Sequence, residues 1–144
     1  MKRRNFLILG TSLATALAAR TDNFTLIVQV SYNGAGTADQ SHKIFVALWD
    51  TPDFIKDGSQ EAPVALKSLT TKTGSVQFDN IAKSPAYISM LYDSAGNWDA
   101  ASPPPAGTPL GLYATNDGAP APITLEAGKP TTIKAQFDDS FKMK

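Results

Sequence analysis

The sequence predicts an all-β fold, an antiparallel β-sandwich of seven to eight strands. Three observations carry this. Apolar and polar residues alternate with period two in several short runs. Turn residues break those runs at hairpin-scale intervals. No long stretch beyond residue 18 repeats with the period of a helix. The chain has 144 residues, enough for one ordinary core, and 42% of them are apolar against 18% charged, which argues against global disorder.

Residues 1–18 read as an export signal. Lys2, Arg3 and Arg4 form a basic start. An apolar run of about twelve residues, Phe6–Leu17, follows; it is too short to span a bilayer. Ala16-Leu17-Ala18 supplies the small-x-small exit that a signal peptidase needs. Arg3-Arg4-Asn5-Phe6-Leu7 also resembles the twin-arginine core R-R-x-F-L, with an ordinary secretory signal as the alternative. The reading leaves residues 19–144 as a single domain, periplasmic or secreted.

Within that domain, Phe24, Leu26, Val28, Val30 and Tyr32 alternate with Thr25, Ile27, Gln29 and Ser31, giving a first strand that Asn33-Gly34 ends. His42–Asp50 is apolar on both faces and reads as a central strand stopped by Thr51-Pro52-Asp53. Residues 53–61 form a polar loop with room for one helical turn. Val64–Thr70 and Ser75–Phe78 are the third and fourth strands, and Ala86–Asp93 the fifth, again apolar on both faces. Leu110–Tyr113, Ile123–Leu125 and Thr131–Phe137 complete the set. Gly96–Pro122 is the one long irregular region, and loops of that length are uncommon unless they serve a function or are disordered.

Inventory excludes several chemistries. There is no cysteine, so disulfides, thiolate metal sites and thiol nucleophiles are out. There is one histidine, His42, and no G-x-S-x-G motif. Thirteen basic residues balance thirteen acidic ones, but removing Lys2, Arg3 and Arg4 with the signal leaves ten against thirteen, a formal charge of −3. A weakly acidic domain has no long-range attraction for phosphate backbones, so nucleic acid is not an expected partner.

Gly74-Ser75-Val76-Gln77-Phe78-Asp79-Asn80-Ile81, followed by Tyr87-Ile88-Ser89-Met90, reads G-x-V-x-F-x-x-I…Y-x-x-M. This resembles the hairpin of carboxypeptidase-regulatory-like, transthyretin-like (prealbumin-like) domains. The resemblance implies a prealbumin-like or Ig-like sandwich with Phe78 and Tyr87 over one core. Lys43–Trp49 with Asp50, Tyr92-Asp93-x-x-Gly96-Asn97 and Pro109-Leu110-Gly111-Leu112-Tyr113 look similar to the secreted bacterial family DUF2141. That similarity implies a fold and an export route and no activity. Catalytic relatives of such sandwiches fail on inventory. Intradiol dioxygenases and cupredoxins each need two histidines, and transthyretin-type hydroxyisourate hydrolases need several.

Four groups of residues invite chemistry. Asp93, Asn97 and Asp99, with Asp50 from a neighbouring strand, offer four oxygen donors to calcium; equally, Asp93 and Asn97 suit a turn that caps its own backbone. Trp98, Tyr113 and Tyr92 are candidate ligand-binding aromatics, since exposed rings stack on sugars or anchor protein partners, with packing as the plainer role. Trp98 lies in a polar loop and is expected at the surface; Trp49 lies inside a strand and is expected in the core. His42 could serve Ser41 or Ser89 as a base, or simply sit at the surface. Asp138-Asp139 could hold a cation or guard a sheet edge.

Together these readings point to an exported, non-enzymatic accessory module of the bacterial envelope. It would bind a protein or glycan through residues 96–122 and need no cofactor. A calcium-binding structural module using residues 93–99 is the alternative, and a hydrolase of unknown type the third.

Overall fold

The computed structural model describes residues 23–144. The export signal expected at 1–18 lies outside the described residues. Those residues hold seven strands, one 3-10 turn and no α-helix.

Strand β1 (Phe24–Tyr32) is the centre of a three-stranded sheet in the order β4-β1-β7. Its alternation does what the sequence predicts: Leu26, Val28, Val30 and Tyr32 are buried, and the intervening side chains face outward. β4 (Thr73–Ile81) pairs with it antiparallel. β7 (Thr131–Phe137) pairs with it parallel, a departure from the wholly antiparallel sheets expected. Parallel neighbours need a long connection. Here the whole second sheet lies between β1 and β7 in sequence.

β4 is longer than its alternation suggests. Phe24 pairs with Ile81 but Leu26 pairs with Phe78, so Asp79 and Asn80 together oppose Thr25. This is a bulge. Asn80 takes a φ of 56°, a left-handed conformation that asparagine tolerates better than most residues. The extra residue returns Ile81 to the core face, which explains the V-x-F-x-x-I spacing.

The second sheet has the order β3-β2-β5-β6, with β3 Ala65–Leu69, β2 Ile44–Trp49, β5 Tyr87–Tyr92 and β6 Leu110–Leu112. All its pairings are antiparallel. The eighth strand expected at Ile123–Leu125 does not form. Ile123 makes one bridge to Ala86, and Leu125 N–H goes to Ser84 Oγ at 2.9 Å. Pro120 and Pro122 lack the N–H groups that a ladder needs there. The side chains of Ile123 and Leu125 nevertheless stay in the core.

Both sheets contribute to one core, in a sandwich-like arrangement: Leu26, Val28 and Phe78 from one, Ile44, Ile88 and Met90 from the other. Within β5 the inward residues are Ile88, Met90 and Tyr92. Tyr87, expected inside, is out of phase by one and is half-buried on the outer side, opposite Trp49. Trp49 is likewise not a core residue. A strand apolar on both faces does not disclose its own phase.

Candidate binding surface

The outward face of the three-stranded mixed sheet is polar, as a sheet face open to water usually is. The outward face of the four-stranded sheet is not. Its registers align Leu66 with Ala47, Ala47 with Ser89 and Ser89 with Leu112 in one row, and Phe45, Leu91 and Leu110 in the next. Trp49 and Tyr87 form a third. Ala47 and Leu91 are each only 8% exposed although they stand outside the shared core, so this face holds an apolar cluster of its own.

Two aromatic side chains from outside the sheet fold onto this face. Phe54, in the 3-10 turn Pro52–Ile55, stacks on Trp49 with ring centres 4.4 Å apart and planes at 10°. Thr51 caps that turn, its hydroxyl accepting from Asp53 N–H at 3.2 Å. Trp98 comes from the opposite end and meets Phe45 edge-on, 4.8 Å between centres. Both indoles are satisfied: Trp49 donates to Ser89 Oγ and Trp98 to the Ser102 carbonyl, each at 2.9 Å. Around them Phe45, Trp49, Leu66, Tyr87, Leu110 and Leu112 remain half-buried, and Ile55 and Val64 are 52% and 53% exposed.

The loop that delivers Trp98 is built by its carboxylates. Asp93 is 5% exposed, and its two oxygens accept from the backbone N–H of Gly96 and of Trp98, both at 3.0 Å. Gly96 supplies a φ of 76°, which suits glycine. Asp99 accepts from Ala101 N–H at 3.0 Å and from Ser102 Oγ at 3.2 Å, and these bonds hold its carboxyl below the usual carboxylate range.

The metal-ligand set does not assemble with Asp50 in it. Asp93 follows β5 and Asp50 follows β2, and these strands are antiparallel, so the two carboxylates leave opposite ends of the sheet. Asp50 faces Lys83 instead, at 3.4 Å. Asn97 is exposed, and Asp93 and Asp99 each bind their own loop. Among the described residues no group of three or more His, Asp or Glu is placed to hold a metal ion.

The three candidate ligand-binding aromatics also separate. Only Trp98 lies on the outer face. Tyr92 is a core residue, 6% exposed, stacked on Tyr32 at 4.6 Å and donating its hydroxyl to the Thr37 carbonyl at 2.8 Å. Burial, with Asp39, Asp139 and Asp93 nearby, raises its pKa. Tyr113 follows β6 and packs partly against the shared core. Residues 96–122 are not one irregular stretch either; β6, the bridge Ala114–Pro120 and a turn closed by Thr115 N–H and the Ala119 carbonyl pin them down.

His42 pairs with Asp39, Nδ1 to Oδ1 3.0 Å, and Asp39 also accepts from the His42 and Ser41 backbone. Ser89 Oγ is engaged by Trp49 on the outer face. Asp138 and Asp139 diverge: Asp138 accepts from Ser140, while Asp139 accepts the Tyr32 hydroxyl and, at 2.9 Å, Ala35 N–H. The Tyr32 bond and the Ala35 bond lower the Asp139 pKa; burial and the same carboxylate raise that of Tyr32.

Of this surface the sequence marks only Trp98 as a binding residue; Phe45, Leu66, Leu91 and Phe54 go unmarked, and Phe54 comes from outside the strands. Its signal is present in Thr51-Pro52-Asp53, a capped turn start that positions the next residue, but its stacking partner becomes visible only in the fold. No family model, curated protein or solved structure matches the chain.

Proposed function

We propose that this chain is an exported, non-enzymatic binding module with a prealbumin-like sandwich, and that it recognises a protein partner through the outer face of its four-stranded sheet. The observation that carries the reading is the apolar, aromatic-rimmed character of that face, where a sheet open to water would carry polar residues. An exposed apolar patch that includes Trp and Phe rings is a common feature of protein-recognition surfaces, where aromatic residues are enriched. A glycan is the weaker fit. Sugar sites need several hydrogen-bonding side chains converging beside the ring, and the outward polar side chains within these strands are few: Ser68 at the edge, the Tyr87 hydroxyl, and Ser89, which already accepts from Trp49.

Export rests on the basic, apolar and small-residue order of residues 1–18. Changing Arg3 and Arg4 to Lys should abolish it if the twin-arginine route is used; undiminished export would remove that route.

The test of the function is affinity capture from an envelope extract with the processed chain, Leu66→Asp and Gln77→Asp. A discrete partner retained by Gln77→Asp and lost with Leu66→Asp supports the reading. Equal recovery by all three proteins overturns it. A parallel titration with soluble cell-wall glycan, read by tryptophan fluorescence, would transfer the site to a sugar if it quenched in proportion to occupancy.

A further inference from the structure

After β7 ends at Phe137 the chain turns through Asp138–Ser140 and lies antiparallel beside residues 107–110. Leu110 N–H donates to the Phe141 carbonyl at 2.9 Å, Met143 N–H to the Thr108 carbonyl at 2.9 Å, and Gly107 N–H to the Met143 carbonyl at 2.8 Å. We propose that this edge is a strand-addition site which Phe141–Met143 fills reversibly, and that an extended segment of a second polypeptide takes their place.

The attachment is almost wholly backbone. No side chain from Asp138 to Met143 is buried, and Phe141 is 61% exposed. Besides the three ladder bonds, only Asp139, bonded to Tyr32 and Ala35, ties the segment down. Each of these bonds has a solvated equivalent when the segment lifts, so opening forfeits little apolar contact. The edge beneath is fixed. Thr108 and Pro109 are buried, Tyr92 N–H donates to the Pro109 carbonyl at 3.0 Å, and Met90 pairs with Gly111.

The segment also leaves part of the edge unfilled. Opposite Leu110 it stands at Phe141; one step further it has already turned toward Tyr32. β6 continues to Leu112, and an open groove of about 510 Å³ lies between Leu110–Leu112 and Gln136–Phe137, with Phe141 among its lining. At Gly111 the β6 backbone meets Phe137 directly, since a Cβ there would come within 2.3 Å of Phe137 Cβ, so the open part of the groove lies beside Leu110 and Leu112.

These features describe the partner. It is an extended segment that repeats the three ladder bonds and runs on past Leu110. By register its residue in the Phe141 slot stands beside Leu110, and the residue two earlier beside Leu112. Apolar residues at both slots gain contact; Asp139, which occupies the second slot in sequence, cannot supply it. Main-chain bonds give the affinity and alternate side chains the selectivity. The ladder bonds belong to the edge and do not involve Leu66, so the edge is tested apart from the centre of the outer face, although the two slots adjoin Leu110 and Leu112 of that face.

The test uses the intact processed chain labelled with ¹⁵N. The probe is a synthetic peptide of residues 139–143 carrying Asp139→Val. It should shift the amides of Gly107, Leu110 and Leu112, release that of Met143, and bind severalfold more tightly to the Asp139→Asn protein, whose tie to Tyr32 is weaker. Without peptide, the Leu110 and Met143 amides should exchange with solvent far faster than Met90. Saturating peptide that leaves those amides unmoved, or exchange at Leu110 and Met143 as slow as at Met90, overturns the proposal.

Discussion

The two sheets share one core but turn different outer faces to their surroundings. On the three-stranded sheet Gln29, Ser75, Gln77, Thr132, Lys134 and Gln136 are exposed, and Ile27 is the apolar exception. On the four-stranded sheet the equivalent outward positions are Phe45, Ala47, Trp49, Leu66, Tyr87, Leu91, Leu110 and Leu112, with Ser68 and Ser89 the polar exceptions. Core formation cannot account for the second set, because the core lies on the other side of the strands. Phe54 and Trp98 cover the two ends of the face; its middle belongs to nothing in the described chain.

The sharpest way to break this comparison is to truncate one outward residue on each sheet. Leu91→Ala should cost about 2–3 kcal/mol of stability, as removal of a buried leucine does, and Gln29→Ala should stay within about 0.5 kcal/mol. Urea denaturation measures both. Equal effects would mean that the outer cluster carries no stability.

Asp93→Ala comes next. It strands the Gly96 and Trp98 N–H groups and should cost about 1–3 kcal/mol. Trp98 should also lose its seat on Phe45, seen as a red shift in tryptophan emission.

Acid should act on one end of the molecule. Asp39, held low by His42 and Ser41 N–H, and Asp99, Asp138 and Asp139, held low by the bonds described above, all lie in loops at the Trp98 end. Their folded pKa values lie below the ordinary carboxylate value of about 3.8. Their contribution is therefore present above that pH and lost as pH falls through the folded values. Amide protection, taken relative to the intrinsic exchange rate at each pH, should fall in residues 33–43 and 93–102 below about pH 4, before that of β1 and β5. Asp117 is the lowered carboxylate that sits at the far end, and its turn provides the internal comparison.

The smallest effect concerns calcium. With Asp93 and Asp99 each bound to their own loop and Asp50 at the other end of the sheet, excess calcium should leave the melting temperature unchanged. A clear rise would restore the metal reading of residues 93–99.

Strand positions were legible wherever one face is polar. β1 was readable to the residue because Gln29 and Ser31 mark its outer side. β2 and β5 are readable as strands but not in phase, since both faces are apolar; Tyr87, expected inside from the family resemblance, and Trp49, expected inside from its place in a strand, both face outward. The bulge at Asp79–Asn80 needs its partner Thr25 to be seen, and the parallel β1–β7 pair leaves no local mark in sequence. Of the surface, Trp98 announced itself as an aromatic residue in a polar loop. Tyr92 does not disclose that it faces inward, and the separation of Asp50 from Asp93 is visible only once β2 and β5 are known to be antiparallel neighbours in the sheet, whose C-terminal ends lie at opposite sides.

The claim that the outer face of the four-stranded sheet meets a protein is tested most directly by a photo-crosslinking amino acid at Leu66, with Gln77 on the opposite face as the reference, in cells that make the full chain. The account predicts one discrete polypeptide adduct from Leu66 and none from Gln77. Adducts of equal yield from both positions, or none from Leu66, would contradict it.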